Sequence, residues 1–285
     1  MSGYLTAPMF FPPSLTALPY PQYYIHPRVQ LPQNNYGHCL HGGDTGFHHR
    51  IWAATQPNAQ TLVLSCVSPD GEAGFPGTLK TTVTYSLSDD NALQINYEAE
   101  TDKPTIVNLT NHAYFNLSGD GKTTILDHQL TLNADYYTPV DSTFMTTGEI
   151  APVEGTPMDF RTATAIGARI DNYDFEQLNN GHGYDHNYVL NTQGDISQVA
   201  AKVYDPKSGR TLEVYTNEPG IQFYAGNFLD GTVKGKHGIY YPLRSALCLE
   251  TQHYPDSPNK ADWPSVVVRP GEKYHSTCIY KFGAE

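Results

Sequence analysis

From about Tyr23 onward, apolar and polar residues alternate in short runs that stop at turn residues. Thr61-Leu62-Val63-Leu64-Ser65-Cys66-Val67 leads into Ser68-Pro69-Asp70-Gly71, a turn signature. Thr82 to Leu87 and Leu93 to Ala99 flank Asp89-Asp90-Asn91, and their period-two alternation predicts a hairpin. Val199 to Tyr204 and Thr211 to Tyr215 repeat the design around Lys207-Ser208-Gly209. Ser265 to Val268 gives way to Arg269-Pro270-Gly271-Glu272 and a last strand over Tyr274 to Phe282. Helical spacing is scarce, and Ala163 to Tyr173 holds at most a turn or two. The sequence shows no repeat of fixed period and no linker after Tyr23. Short strands with regular turns predict an all-β fold, a large antiparallel β-sandwich, as one domain over residues 23–285.

Residues 1–22 break that pattern. They carry no charge and five prolines, Pro8, Pro12, Pro13, Pro19 and Pro21. A secretory signal needs a positive start and an unbroken apolar stretch, so this segment reads as an irregular, proline-rich lead-in. The formal charge of −12, from 17 basic and 29 acidic residues, argues against nucleic acid or an anionic membrane as partner. It also argues against a phosphorylated substrate, which calls for clustered Arg or Lys. No apolar run reaches the roughly 18 residues of a membrane span. Cys39, Cys66, Cys248 and Cys278 stand far apart with no CxxC pair. They read as reduced thiols, which places the chain in the cytoplasm. The 21 tyrosines suit both sheet packing and stacking on a sugar ring.

Two stretches, Asn111 to Leu117 and Leu249 to Asn259, each set one proton-transfer residue among aromatic and hydrogen-bonding side chains. A histidine titrates near neutrality and can give a proton to an oxygen, but taken alone His112 reads first as a satisfied sheet histidine. On a strand, His112, Tyr114 and Asn116 would share one face. Glycosylation-type triplets start at Asn108 and Asn116, inside this structural segment, and are discounted. Glu250 follows the apolar run Ser245 to Leu249. An acid at a strand exit is either a paired structural residue or a base with a raised pKa. Asp185, beside Tyr184, can accept two hydroxyl hydrogens, or simply cap a loop. Gln222 is a sugar-contact candidate of the same kind. His41, in Leu40-His41-Gly42-Gly43, has glycines that permit close backbone approach. His38, His48 and His49 lie nearby, but no carboxylate or cysteine is spaced to complete a tetrahedral shell, so no metal is expected.

Taken in order, several segments resemble the galactose mutarotase (aldose 1-epimerase) family: Leu40 to Gly43, Asp70 to Gly77, Thr110 to Leu117, Gly183 to His186, Gln222 to Phe228, the Glu250 stretch and Arg269 to Glu272. The resemblance implies the mutarotase-like supersandwich and interconversion of α and β anomers of free hexoses such as galactose and glucose. It implies Glu250 as general base and His112 as general acid, with His41, Asp185 and Gln222 holding the substrate and Tyr114 beside the acid. It implies no cofactor and a small-molecule hexose as partner; a monomer is favoured. The family begins with further strands and an Asn-Arg-Ile stretch whose arginine contacts the sugar. Here the lead-in stands in that place, and Arg28 aligns with a later strand, so a shortened or misassembled mutarotase is expected. The alternatives are a catalytically impaired sugar-binding or regulatory module on the same fold, a phosphohexose relative, and a retaining glycosidase. The last needs two carboxylates about 5 Å apart, and only Asp185 is available to partner Glu250.

Overall fold

A computed structural model describes residues 29–119 and 121–285. The proline-rich lead-in 1–22 and Arg28 lie outside the described residues. Nine strands of the described chain form one antiparallel sheet in the order Ala53–Asn58, Thr61–Ser68, Leu79–Leu87, Ala92–Thr101, Tyr274–Ala284, Arg210–Thr216, Ala201–Tyr204, Gln129–Leu132 and Thr164–Ala165. Five more form a second sheet: Cys248–Gln252, Gly220–Tyr224, Asp185–Val189, Tyr136–Thr138 and Ala151–Pro152. Val267–Val268 pairs with Thr105–Ile106 apart from both. The all-β antiparallel expectation holds.

Period-two alternation builds the large sheet. In Ala92–Thr101, Ile95, Tyr97 and Ala99 are buried, while Gln94, Asn96, Glu98 and Glu100 lie toward solvent. The turn before it closes because Asn91 takes a positive φ of 63°, a conformation asparagine tolerates. The outer strand Ala53–Asn58 is exposed throughout, breaks register between Thr55 and Asn58, and carries Pro57. A bulge and a proline both discourage further strand pairing at such an edge.

The smaller sheet has two unlike faces. Tyr137, Tyr188, Ile221, Phe223 and Leu249 point into the core shared with Ile95, Tyr97 and Tyr280 of the large sheet. Tyr280 Oη crosses between the sheets and donates to the Leu249 carbonyl at 2.7 Å. The opposite face is polar: cross-strand register sets Thr138, Asn187, Gln222 and Glu250 in one row. A polar row on a buried sheet face costs free energy unless something pairs with it.

Local differences from the expected elements follow from weak patterns. One short α-helix, Glu176–Asn180, lies just past the segment read as a helical turn, where Ile166–Ala168 forms a 3-10 turn. Ser265 to Val268 shrinks to a two-residue strand at Val267–Val268.

Candidate active site

Glu250 sits at the centre of Cys248–Gln252 rather than at a strand exit, and is 1% exposed. Thr251 and Gln252 continue the strand although polar, because Thr251 is buried and Gln252 shares the polar face. Burial pushes the Glu250 carboxyl up to about 8, since a carboxylate there loses its hydration. Its Oε2 has no hydrogen-bond partner among the described residues.

His112 is held by an irregular segment and not by a strand. Phe115 pairs with Leu247 through both backbone bonds, at 2.8 and 2.9 Å, anchoring the C-terminal end of that segment to the approach of the Glu250 strand. Asn111 Oδ1 accepts the Ala113 N–H at 3.0 Å and bends the chain at His112. His112 Nε2 then stands 3.5 Å from Glu250 Oε1. The imidazole stacks on Tyr114 with centroids 5.1 Å apart, and meets His41 and Tyr224 edge-on at 5.7 and 6.0 Å. Burial holds its pKa below the usual histidine value, and the Asp185 charge partly offsets this. Asn116 departs from the expected shared face: its amide donates to the Thr123 and Ser245 carbonyls, both at 2.8 Å.

Asp185 opens the strand Asp185–Val189 instead of lying in a loop. Gln222 Nε2 donates to Asp185 Oδ1 at 2.8 Å, which fixes both side chains and leaves Gln222 Oε1 buried and, among the described residues, without a partner. Burial raises the Asp185 carboxyl to about 7; the Gln222 bond lowers it and the nearby Glu250 charge raises it. His41 takes a positive φ of 55°, followed by Gly42 at 79° and Gly43 at 74°. Only glycine follows that left-handed path without strain, and the turn delivers the His41 ring beside His112. Burial, with His112 and His48 adding to it, drops the His41 pKa to about 3.

The six residues singled out from sequence, His41, His112, Tyr114, Asp185, Gln222 and Glu250, all line one cavity of about 410 Å³. Asn187 joins them unforeseen: it is 1% exposed, and its Oδ1 has no partner among the described residues. The signal was its place two residues after Asp185, on the same strand face. His38 lines the rim and bonds Thr143 Oγ1 at 2.8 Å, while the His48 and His49 rings meet tilted, with centroids 4.0 Å apart. The arrangement offers a carboxyl and an imidazole as a proton-transfer pair. Beside them stand a carboxyl–amide pair and free amide oxygens suited to hydroxyl groups.

The family described as aldose 1-epimerase matches residues 26–281 of this chain. The galactose mutarotase of Mus musculus is 49% identical over 252 residues, covering 88% of this chain and 71% of that protein. Among solved structures, an aldose epimerase homologue from C. elegans superposes with a TM-score of 0.82 at 33% identity, covering 92% of this chain and 77% of the other. A galactose 1-epimerase from Lactobacillus acidophilus NCFM gives 0.78 at 32%, covering 90% and 73%.

Proposed function

This chain belongs to the aldose 1-epimerase family, and we propose from that premise that Glu250 and His112 carry its proton transfers. The enzyme is an isomerase that interconverts the α and β anomers of free hexoses, galactose and glucose among them. The observation that supports the residue roles is the 3.5 Å approach of His112 Nε2 to Glu250 Oε1 in a cavity lined by Asp185, Gln222 and Asn187.

In the proposed sequence, ionised Glu250 takes the proton of the anomeric hydroxyl while protonated His112 gives one to the ring oxygen. The C1–O5 bond opens to the free aldehyde. Rotation about C1–C2 exposes the other face, and closure returns both protons to their starting groups, leaving the opposite anomer. Nothing is oxidised and no group leaves. Each positioned group contributes about 10²–10⁴-fold to such a step.

Asp185 and Gln222 hold sugar hydroxyls, the carboxylate as acceptor and the free amide oxygen as a second acceptor. Tyr114 supports the His112 ring by stacking, and His41 closes its other side. All of these come from one chain, so the monomer serves as the catalytic unit. Among the described residues, no helix is long and apolar enough to cross a membrane. Four free cysteines fit a reducing compartment, the cytoplasm.

Exchange NMR between the α and β anomeric protons tests this reading. Galactose and glucose should exchange faster with enzyme. Methyl α-galactoside, which has no proton at O1 for Glu250 to take, should stay unchanged; its conversion would point to glycoside cleavage instead.

A further inference from the structure

The polar face of the smaller sheet carries one group that anomer conversion leaves unused. Cys248 stands two residues before Glu250 on the same strand, opposite Tyr224, and so points to the same side as Glu250. One ligand atom each from His112, Cys248 and Glu250 lie within 4.8 Å of one another. Glu250 and Cys248 are buried, and among the described residues both Glu250 Oε2 and His112 Nδ1 lack hydrogen-bond partners. We propose that His112, Cys248 and Glu250 form a three-ligand site for a thiophilic divalent cation such as Zn²⁺ or Cd²⁺, and that the bound ion shuts the enzyme off by occupying its acid and base.

The donor set selects the ion. Thiolate and imidazole favour zinc-like ions, whereas calcium and magnesium seek shells of oxygen. Around a tetrahedral ion with bonds of about 2.0 Å to nitrogen and oxygen and about 2.3 Å to sulfur, ligand atoms sit roughly 3.3–3.8 Å apart. The His112–Glu250 separation of 3.5 Å already falls in that range. The 4.8 Å limit on the three ligand atoms exceeds that range by about 1 Å, so side-chain adjustments of no more than that size bring them onto one ion. His112 and Glu250 both line the cavity, which gives the ion its entry path and leaves the fourth position to water. Around neutrality, coordination releases two protons to solvent, that of the Cys248 thiol and the one held by the His112–Glu250 pair. The ion then holds the oxygen and nitrogen that the sugar's protons would need, so metal and sugar exclude each other.

The inhibition rests on the roles proposed for His112 and Glu250; the binding does not, and the two are read separately. Cd²⁺ is titrated into the purified full chain while the ultraviolet sulfur-to-cadmium charge-transfer band is followed, beside Cys248→Ala and Cys248→Ser. A saturable band in the wild type, missing from both variants and displaced by galactose, is the expected result. Zn²⁺ should slow galactose anomer exchange reversibly, with chelator restoring it. Either variant should keep its metal-free activity and need at least about tenfold more Zn²⁺ for the same inhibition. A band that persists without Cys248 would assign the ion to another cysteine and overturn the site, as would a wild type with no band. A cadmium band without any effect on turnover would keep the site and count instead against the catalytic roles of His112 and Glu250.

Discussion

Asn108 grips His253 with both ends of its amide: Oδ1 accepts the His253 N–H at 3.0 Å, and Nδ2 donates to the His253 carbonyl at 2.9 Å. Asn108 is 4% exposed, four residues before His112, and His253 follows three residues after Glu250. With Phe115 paired to Leu247 at the other end, the acid-bearing segment is fastened to the base-bearing strand on both sides of the site. The 3.5 Å spacing of His112 and Glu250 depends on both fastenings.

Asn108→Ala should therefore loosen the proton-transfer pair without touching the sugar-holding residues. The expected result is a kcat lower by about 10- to 100-fold with KM changed far less, because a misplacement near 1 Å costs this much. Asn108→Asp, which keeps the acceptor, should recover part of the loss. Steady-state kinetics of both variants, with thermal melts alongside, check it; a change confined to KM would refute the positioning role.

Glu250 makes a trade between activity and stability. Its folded pKa of about 8 lies above the ordinary 4.5, so the folded chain holds that proton more tightly than the unfolded one. The stability it contributes is complete below about pH 4.5 and is lost as pH rises through about 8. Glutamine has no such proton to lose. Glu250→Gln should melt several degrees above wild type at pH 8.5, with the gap closing toward pH 5. Calorimetry across that range would show parallel curves if the carboxyl were not buried and unpaired.

His112 and Glu250 are close enough to titrate as a pair. Burial pushes Glu250 up to about 8 and His112 below its ordinary 6.5, so between those limits the pair holds one proton. Turnover needs one proton, on His112 with Glu250 ionised. The plot of kcat against pH should be level around neutrality, fall above about 8 as that proton leaves, and fall again on the acid side below 6.5. Asp185, raised to about 7, ionises within the level region and should show in KM. A rate that climbs steadily from pH 6 to pH 10 would contradict a shared proton.

Asp185→Asn removes the charged acceptor while keeping the shape. Hydrogen bonds to a charged partner contribute about 1.5–3 kcal/mol, so KM should rise by roughly 10- to 100-fold with kcat less affected. Kinetics with galactose would locate Asp185 in the proton-transfer step instead if kcat alone collapsed.

Long hairpins were readable in the sequence because Ile95, Tyr97 and Ala99 alternate with polar neighbours and short turns join the strands. The smaller sheet was harder to read. Its polar face is buried by the cavity, so Asn187, Gln222, Glu250 and Gln252 break the alternation that marks a half-exposed strand. That is why Glu250 looked like a strand exit and Asp185 like a loop residue. The His112 segment shows the converse: spacing suggested a strand, but the Asn111 turn and the Asn116 bonds to Thr123 and Ser245 shape it. Identities of site residues were legible because acid, base and amide types stand out; Asn187 was missed since a lone asparagine after a histidine carries no signal without its strand. Strands as short as Tyr136–Thr138 and Ala151–Pro152 have no period to detect.

Polarimetry of freshly dissolved α-D-galactose, with wild type, Glu250→Gln and His112→Gln, tests the central claim that these two residues act as base and acid. Wild type should speed the decay of rotation well beyond buffer, and each substitution should slow it by at least about a hundredfold while the protein stays folded. Either variant retaining the wild-type rate would contradict the account.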